Sequence, residues 1–503
     1  MRDNPIREST TESPIVDLLL AILEAFRRND IQYCYWKSSR RIQAVLAGES
    51  DFDVLIARPQ QHVVHRLLLE SGFKLFPAVA NRSEPSIVSY VGHNDANGNL
   101  IHIHLHLRLM VGEKLLKNYR LPWEAVILDR AVSHPTMPVR MLDPASEALL
   151  LIVRASLELH RYDPVTLRHW QVTRDKFESD RASLATRVDR AELYDIAVQL
   201  VSRDMGELIA DALHNGRPLE TQHRLRWKVR KALATYRLYN AIEARTRSIA
   251  RVLLWVIGGL NNRFLHAPRP WRRRAPGGGI LVALLGVDGS GKSTVMNAVR
   301  IWLHDEIDVL PIYFGTGDGR LSWPLLPLKA LMPFVTRLVR SKPRGSSHGN
   351  VSNGTPGIVY SLLLAVWATV LAVEKRLKLT TAHRGVGRGL VVIADRYPQD
   401  ENVHYNDGPL LPRLGNVPKW LRRFEARAYA SARRLPPDLV IKLEAPPELL
   451  AEREPSMDIN VIRQRVVDLQ KLKFPGADVV PVNASQPLSE VLRAVKCEIW
   501  HRL

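Results

Sequence analysis

Cysteine is nearly missing from the sequence. Cys34 and Cys497 stand at opposite ends of 503 residues, which excludes a disulfide framework and a four-cysteine metal site. The opening residues MRDNPIRESTTESP lack the apolar core of a secretory signal, so a reducing, cytoplasmic setting is expected. Acidic residues are scarce beside basic ones, 51 Asp+Glu against 71 Lys+Arg, for a formal charge of +20. That excess favours phosphorylated small molecules, polyanions or an anionic membrane surface. No groove-reading or base-stacking motif accompanies it, so nucleic acid is not expected as a partner. Its clusters RLRWKVRK (Arg224 to Lys231) and PRPWRRRAP (Pro268 to Pro276) read as a solvated helix face and a linker.

Long hydrophobic runs are also lacking. The uncharged stretch Ile358 to Val373 falls short of the roughly 18 to 20 residues that span hydrocarbon, and Glu374, Lys375 and Arg376 continue its helical pattern. A buried helix is expected there. The amphipathic stretch Ala250 to Leu265 borders basic residues and has two readings, packing between the halves of the chain or peripheral contact with an anionic membrane.

The length suggests two or three domains. Strand-like and helical patterns run from Ile15 to about Leu159, followed by a helix-rich stretch to about Leu265. Proline, a basic run and three glycines then mark a linker, HAPRPWRRRAPGGG. Beyond it ILVALLGV, DVLPIYFG, LVVIADRY, DLVIKLEA and ADVVPVNA alternate with helical segments, the pattern of a parallel sheet flanked by helices. Ser341 to Gly357, rich in Gly, Ser and Asn, reads as a mobile loop. The expected boundaries are 14–159, a connector at 160–265, a linker at 266–279 and a final domain at 280–503.

The run Ile280 to Leu285 delivers the chain into GVDGSGKST, Gly286 to Thr294, which matches G-x-x-x-x-G-K-[ST] between a strand and a helix. Glycines let backbone N–H groups turn around phosphate oxygens, and the helix presents its positive end to the anion. Gly286, Asp288, Gly289, Ser290, Gly291, Lys292, Ser293 and Thr294 are therefore assigned to ATP. Lys292 reaches the β- and γ-phosphates, and the Ser293 hydroxyl is a ligand for Mg²⁺. Asp395 closes the strand LVVIAD, at the end where open α/β sheets form their crevice. It is expected to hold magnesium or its water shell, and Arg396 to stabilise charge on the transferred group.

These motifs, with ADRY (Ala394 to Tyr397) and PDLVIKLEAPPELLAER (Pro437 to Arg453), resemble the thymidylate kinase family of P-loop nucleoside monophosphate kinases over roughly Gly279 to Leu503. The resemblance implies that Asp288 contacts the acceptor sugar, that Arg396 clamps the acceptor phosphate beside Tyr397, and that a lid follows in which Arg453, Arg463 and Arg465 close on ATP. It also implies a homodimer. YFGTGDGRLSWP, Tyr313 to Pro324, departs from the family pattern in the acceptor region. With the long apolar helix from Ile358 it looks more like the divergent thymidylate-kinase-like proteins encoded with bacterial surface-polysaccharide genes.

In the first half, Asp51 and Asp53 stand two residues apart in a β-rich run, so both carboxylates share one face while Phe52, Val54 and Ile56 enter the core. Such a pair can bind divalent metal and orient a triphosphate. With Lys37, Ser38 and Ser39 upstream, the region resembles a minimal nucleotidyltransferase domain of α+β type. That family's third carboxylate is replaced by a histidine, His104, in a row with His102 and His106. Two readings follow for this half: metal-dependent nucleotidyl transfer, or a degenerate binding domain. For the whole chain the leading expectation is a kinase that uses ATP and Mg²⁺ on a phosphorylated small molecule; an ATP-gated assembly factor at a membrane is the non-enzymatic alternative.

Overall fold

The computed structural model describes residues 15–80, 82–84, 86–113, 115–159, 167–304, 306–315, 358–402, 408–413 and 417–503, leaving aside the side chains of 358–364 and 367. The Ser341 to Gly357 loop and residues 316–324 of the acceptor segment lie outside the described residues. The chain divides into two units, one ending at Leu260 and the other beginning at Asn261.

Among the described residues nine strands shape the first unit: β1 (Tyr33–Tyr35), β2 (Phe52–Ile56), β3 (Lys74–Leu75), β4 (Ile87–Asn94), β5 (Asn99–His106), β6 (Leu109–Val111), β7 (Tyr119–Leu121), β8 (Val132–Ser133) and β9 (Arg140–Met141). Seven form one sheet in the order β3-β4-β5-β2-β1-β9-β8, and β6 pairs with β7. Period-two alternation sorts its faces. Phe52, Val54, Ile56, Ile101, Ile103 and Leu105 pack with Leu19, Ile22, Leu23 and Phe26 of the Asp17–Arg28 helix. Each fully buried side chain of this kind contributes roughly 1.5–3 kcal/mol. Cys34, Trp36 and Leu55 turn the other way and join the core of the Pro144–Glu158 helix.

That helix starts where Asp143 accepts the Ser146 N–H at 3.2 Å and Pro144 occupies the first helical turn. It is buried on nearly every side because helices Trp170–Ala185, Arg190–Leu200, Arg203–His214 and His223–Ala232 share its core. The helices within the expected connector are thus packed on the sheet-bearing part of the unit. Farther on, the Ala241–Leu260 helix leaves Ile249, Leu253, Ile257 and Leu260 largely exposed.

In the second unit β10 (Ile280–Gly286), β11 (Val309–Tyr313), β12 (Val391–Asp395), β13 (Leu439–Glu444) and β14 (Asp478–Asn483) make a wholly parallel sheet ordered β11-β12-β10-β13-β14. β10 and β12 are buried throughout, as strands covered on both faces require. The chain crosses from β10 to the β11 edge and later to β13 on the opposite side, so a crevice opens at the strand ends beside β10. The Ile358–Val386 helix buries Ala368, Leu371, Ala372 and Leu379, and Glu374 and Lys375 are buried with them while Arg376 is exposed. Lys375 donates to the Tyr429 hydroxyl at 2.7 Å, and Lys378 pairs with Glu374 at 2.6 Å. No helix among the described residues is long and apolar enough to cross a membrane.

The basic linker is anchored to this unit. Asp308 accepts the N–H groups of Trp271 and Arg272 at 2.6 and 2.7 Å, Arg273 pairs with Glu306 at 2.7 Å, and the Arg272 guanidinium donates to the His304 carbonyl. The Ala275 N–H donates to the Gly389 carbonyl at 2.9 Å. Arg272 and Arg273 are held by these contacts, while Arg269 and Arg274 are exposed.

Glu147, inside the first unit, generates a pH test. Burial pushes its carboxyl up from 4.5 to about 7, although the Ser39 N–H donates to it. The folded chain keeps this proton to a higher pH than the unfolded chain, so the associated stability is complete below about pH 4.5 and is lost as pH rises to about 7. Glu147→Gln keeps an acceptor for Ser39 and needs no proton. Urea unfolding should find this variant close to the parent at pH 4.5 and more stable by about 2–3 kcal/mol at pH 8.

Candidate functional site

The second unit carries its chemistry at the end of β10. Gly289 and Gly291 both hold φ of +85°, a left-handed conformation that side chains resist, and so curl the backbone around the start of the Lys292–His304 helix. Gly286 ends β10, and Ser290 is buried behind the turn. The Lys292 ammonium donates to the Val287 carbonyl at 2.9 Å and lies 3.6 Å from the Asp288 carboxylate.

Asp288 gathers two further cations. Arg396 reaches its Oδ1 at 3.1 Å and Arg465 its Oδ2 at 3.0 Å, all with side chains 10–19% exposed. Arg396 adopts φ of +68° where its N–H donates to the Leu284 carbonyl at 3.0 Å. Such a conformation costs of order 1–3 kcal/mol and is held by its surroundings. Asp395, one residue earlier, is buried at the end of β12, with Leu284 of β10 and Tyr313 of β11 as its lateral partners.

Asp288, Lys292, Asp395 and Arg396 line a cleft of about 460 Å³, within the usual range for small-molecule sites. Of the residues expected at the site, Asp288, Gly289, Gly291, Lys292, Ser293, Thr294, Asp395, Arg396 and Arg453 border it. Arg453 is steadied by donating to the Ala484 carbonyl at 3.1 Å. Tyr397 is placed differently from a substrate contact. Its ring is buried between Phe314 and Phe474, and its hydroxyl donates to the Leu435 carbonyl. Arg463 pairs on the surface with Glu448, so only Arg465 of the two later lid candidates reaches the cleft region. Tyr313, at the head of the acceptor segment, also lines it, as do Glu454, Ser456 and Met457, which no motif in the sequence marked.

In the first unit the expected Asp51, Asp53 and histidines do meet. β2 and β5 run parallel with Asp53 beside His104, and His106 lies 3.1 Å from Asp53. Burial opposes ionisation of Asp53, but Lys37 at 3.9 Å and hydrogen bonds from His104 and His106 hold its carboxyl well below the usual range. Burial, helped by Arg154, lowers the Lys37 ammonium to about 7. The turn after β1 is committed elsewhere. The Ser38 hydroxyl donates to Asp180 at 2.7 Å and the Ser39 N–H to Glu147 at 2.8 Å, so carboxylates of the protein take the donors a triphosphate would need.

Removing the Asp288 carboxylate leaves Lys292, Arg396 and Arg465 crowded without their shared counter-charge. Losing one partner of a buried pair costs about 3–5 kcal/mol, and partial exposure places Asp288→Ala near the lower limit. Calorimetry at low salt should show the second unit melting several degrees lower, with pyrophosphate raising the midpoint more than in the parent.

No protein family model matches the chain. It is similar to the uncharacterized ATP-binding protein YghS of Escherichia coli K12, 27% identical over 219 residues that make up 42% of this chain and 90% of that protein. It is also similar to the uncharacterized ATP-binding protein YghR of the same strain, 26% identical over 234 residues, 45% of this chain and 87% of that protein.

Proposed function

We propose that the second unit is an ATP-dependent kinase that passes the γ-phosphoryl group to a small phosphorylated acceptor. The observation that carries this reading is the cleft in which a glycine turn, Lys292, Asp395 and the Asp288–Arg396 pair converge at the ends of parallel strands. The ATP-binding proteins to which the chain is similar support the choice of nucleotide.

In this reading the turn from Gly286 to Gly291 cradles the phosphates with backbone N–H groups. Lys292 swings from the Val287 carbonyl onto the β- and γ-oxygens, a short movement for a flexible ammonium. The buried Asp395 carboxylate and the Ser293 hydroxyl fit a hard divalent cation, since both offer oxygen to the cleft. Magnesium held there would neutralise charge on the phosphates. Arg396, fixed by its backbone, presents a planar fork to the acceptor phosphate or the transferring group. Arg453 and Arg465 close the nucleotide side, while Asp288 orients Arg396 and receives the acceptor. We place phosphoryl transfer here, and not nucleotidyl transfer in the first unit, because the Ser38 and Ser39 donors are taken by Asp180 and Glu147.

Lys292→Ala should abolish ATP turnover and leave the melting temperature within a few degrees of the parent, because it removes a cation and little packing. Unchanged turnover would exclude the kinase reading. Arg396→Ala should lower kcat by about 10³-fold or more while ATP affinity changes little; equilibrium nucleotide binding beside steady-state rates separates the two effects. Deoxythymidine monophosphate should be a poor acceptor, since the segment from Tyr313 departs from the thymidylate kinase pattern. Coupled ADP release at about 1–10³ per second would restore that substrate.

A further inference from the structure

We propose that the first unit binds a divalent transition-metal ion between Asp51, His102 and His104, in preference to Mg²⁺. The site follows from strand register. Phe52 pairs with Ile103 and Asp53 with His104 across parallel β2 and β5, which sets Asp51 beside His102 one step earlier. His102 Nδ1 lies 3.4 Å from Asp51 Oδ1, and His104 Nδ1 lies 4.0 Å from Asp51 Oδ2. One ligand atom from each of the three residues falls within 4.8 Å of the others. A tetrahedral ion with bonds of about 2.0–2.2 Å separates its ligands by about 3.3–3.6 Å, so closure needs only small side-chain movement.

The donor types choose the ion. Mg²⁺ prefers an all-oxygen octahedron and keeps its water, whereas two imidazoles and one carboxylate suit zinc and its first-row neighbours and leave a position open. The surroundings fit this role. Asp53 Oδ1 lies 3.5 Å from the same His104 Nδ1 that faces Asp51, and 3.1 Å from His106 Nε2, so a second carboxylate charge stands beside the site and favours a cation there. Trp36 walls the site edge-on to His106, with ring centroids 4.8 Å apart. Asp51 is 45% exposed while His102 is 5% exposed, so an ion has a route in and a floor beneath it. The two carboxylates and Lys37 together carry net negative charge, which a divalent cation reverses. The divalent metal that the spacing of Asp51 and Asp53 points to is, with imidazole as the third corner, ill suited to be Mg²⁺. This inference is independent of the kinase reading of the second unit.

The test uses the full chain, stripped with a chelator, freed of nucleotide and titrated with Co²⁺. One equivalent should bind with visible d–d absorption, be displaced by Zn²⁺ and resist a large excess of Mg²⁺. His102→Asn and His104→Asn should each lose more than about 100-fold in affinity, and Asp53→Asn, which removes a neighbouring charge and no ligand, should lose less than either. ATP binding should be unchanged in all three. His104→Asp, which restores an oxygen ligand, should move the preference toward Mg²⁺. No stoichiometric Co²⁺ uptake, uptake undiminished in the histidine variants, or competition by Mg²⁺ equal to that by Zn²⁺ would each overturn the proposal. If the asparagine variants do not fold, the competition on the parent protein decides.

Discussion

One carboxylate sets the electrostatics of the cleft in the second unit. Asp288 draws in Lys292 from the next helix, Arg396 from beyond β12 and Arg465 from the Ile459–Lys471 helix. Fully exposed pairs of this kind contribute little, but these side chains are 8–19% exposed and their mutual attraction is correspondingly less screened. Three positive groups that would otherwise repel are held within reach of one another. The cleft therefore meets an anion with its cations already placed, and less of the binding free energy goes into ordering them.

The two units use parallel strands for different ends. In the second, five parallel strands bring their carboxyl ends to one edge, so the glycine turn, Asp395 and Arg396 arrive together from segments about a hundred residues apart. In the first, the parallel pair β2 and β5 places side chains abreast, the carboxylates of Asp51, just ahead of β2, and of Asp53, on it, beside imidazoles on β5. The arrangement in the first unit depends on β2 and β5 keeping their register, since a shift of one residue would send the polar row into the core.

Much of this was legible in the sequence where chemistry is local. The strand, glycine turn and helix around Lys292 are contiguous, and Asp395 ends an apolar run, so each can be read within a few residues. The Ile/His alternation from Ile101 to His106 likewise announces its two faces. What escaped reading is long-range. Nothing near Arg465 reveals a partner 177 residues away, and nothing near Ser38 reveals Asp180, 142 residues on. Tyr397 misled because a motif names a residue without saying which way its ring turns. Here Phe314 and Phe474 offer it an apolar slot and Leu435 an acceptor. The basic linker misled for the converse reason: composition alone cannot show that Asp308 and Glu306 wait for its amides and guanidinium groups.

That strap has a consequence for handling the protein. Arginine-rich stretches between units are where trypsin is first expected to nick a chain, and Arg272 to Arg274 would head any such map. With the amides of Trp271 and Arg272 on Asp308, Arg273 on Glu306 and the Ala275 N–H on Gly389, this stretch cannot readily straighten into the extended form that a protease cleft accepts. A fragment carrying the second unit is therefore better begun ahead of Asn261 than inside the glycines at 277–279, where the cut would discard the strap and bare the carboxylate of Asp308.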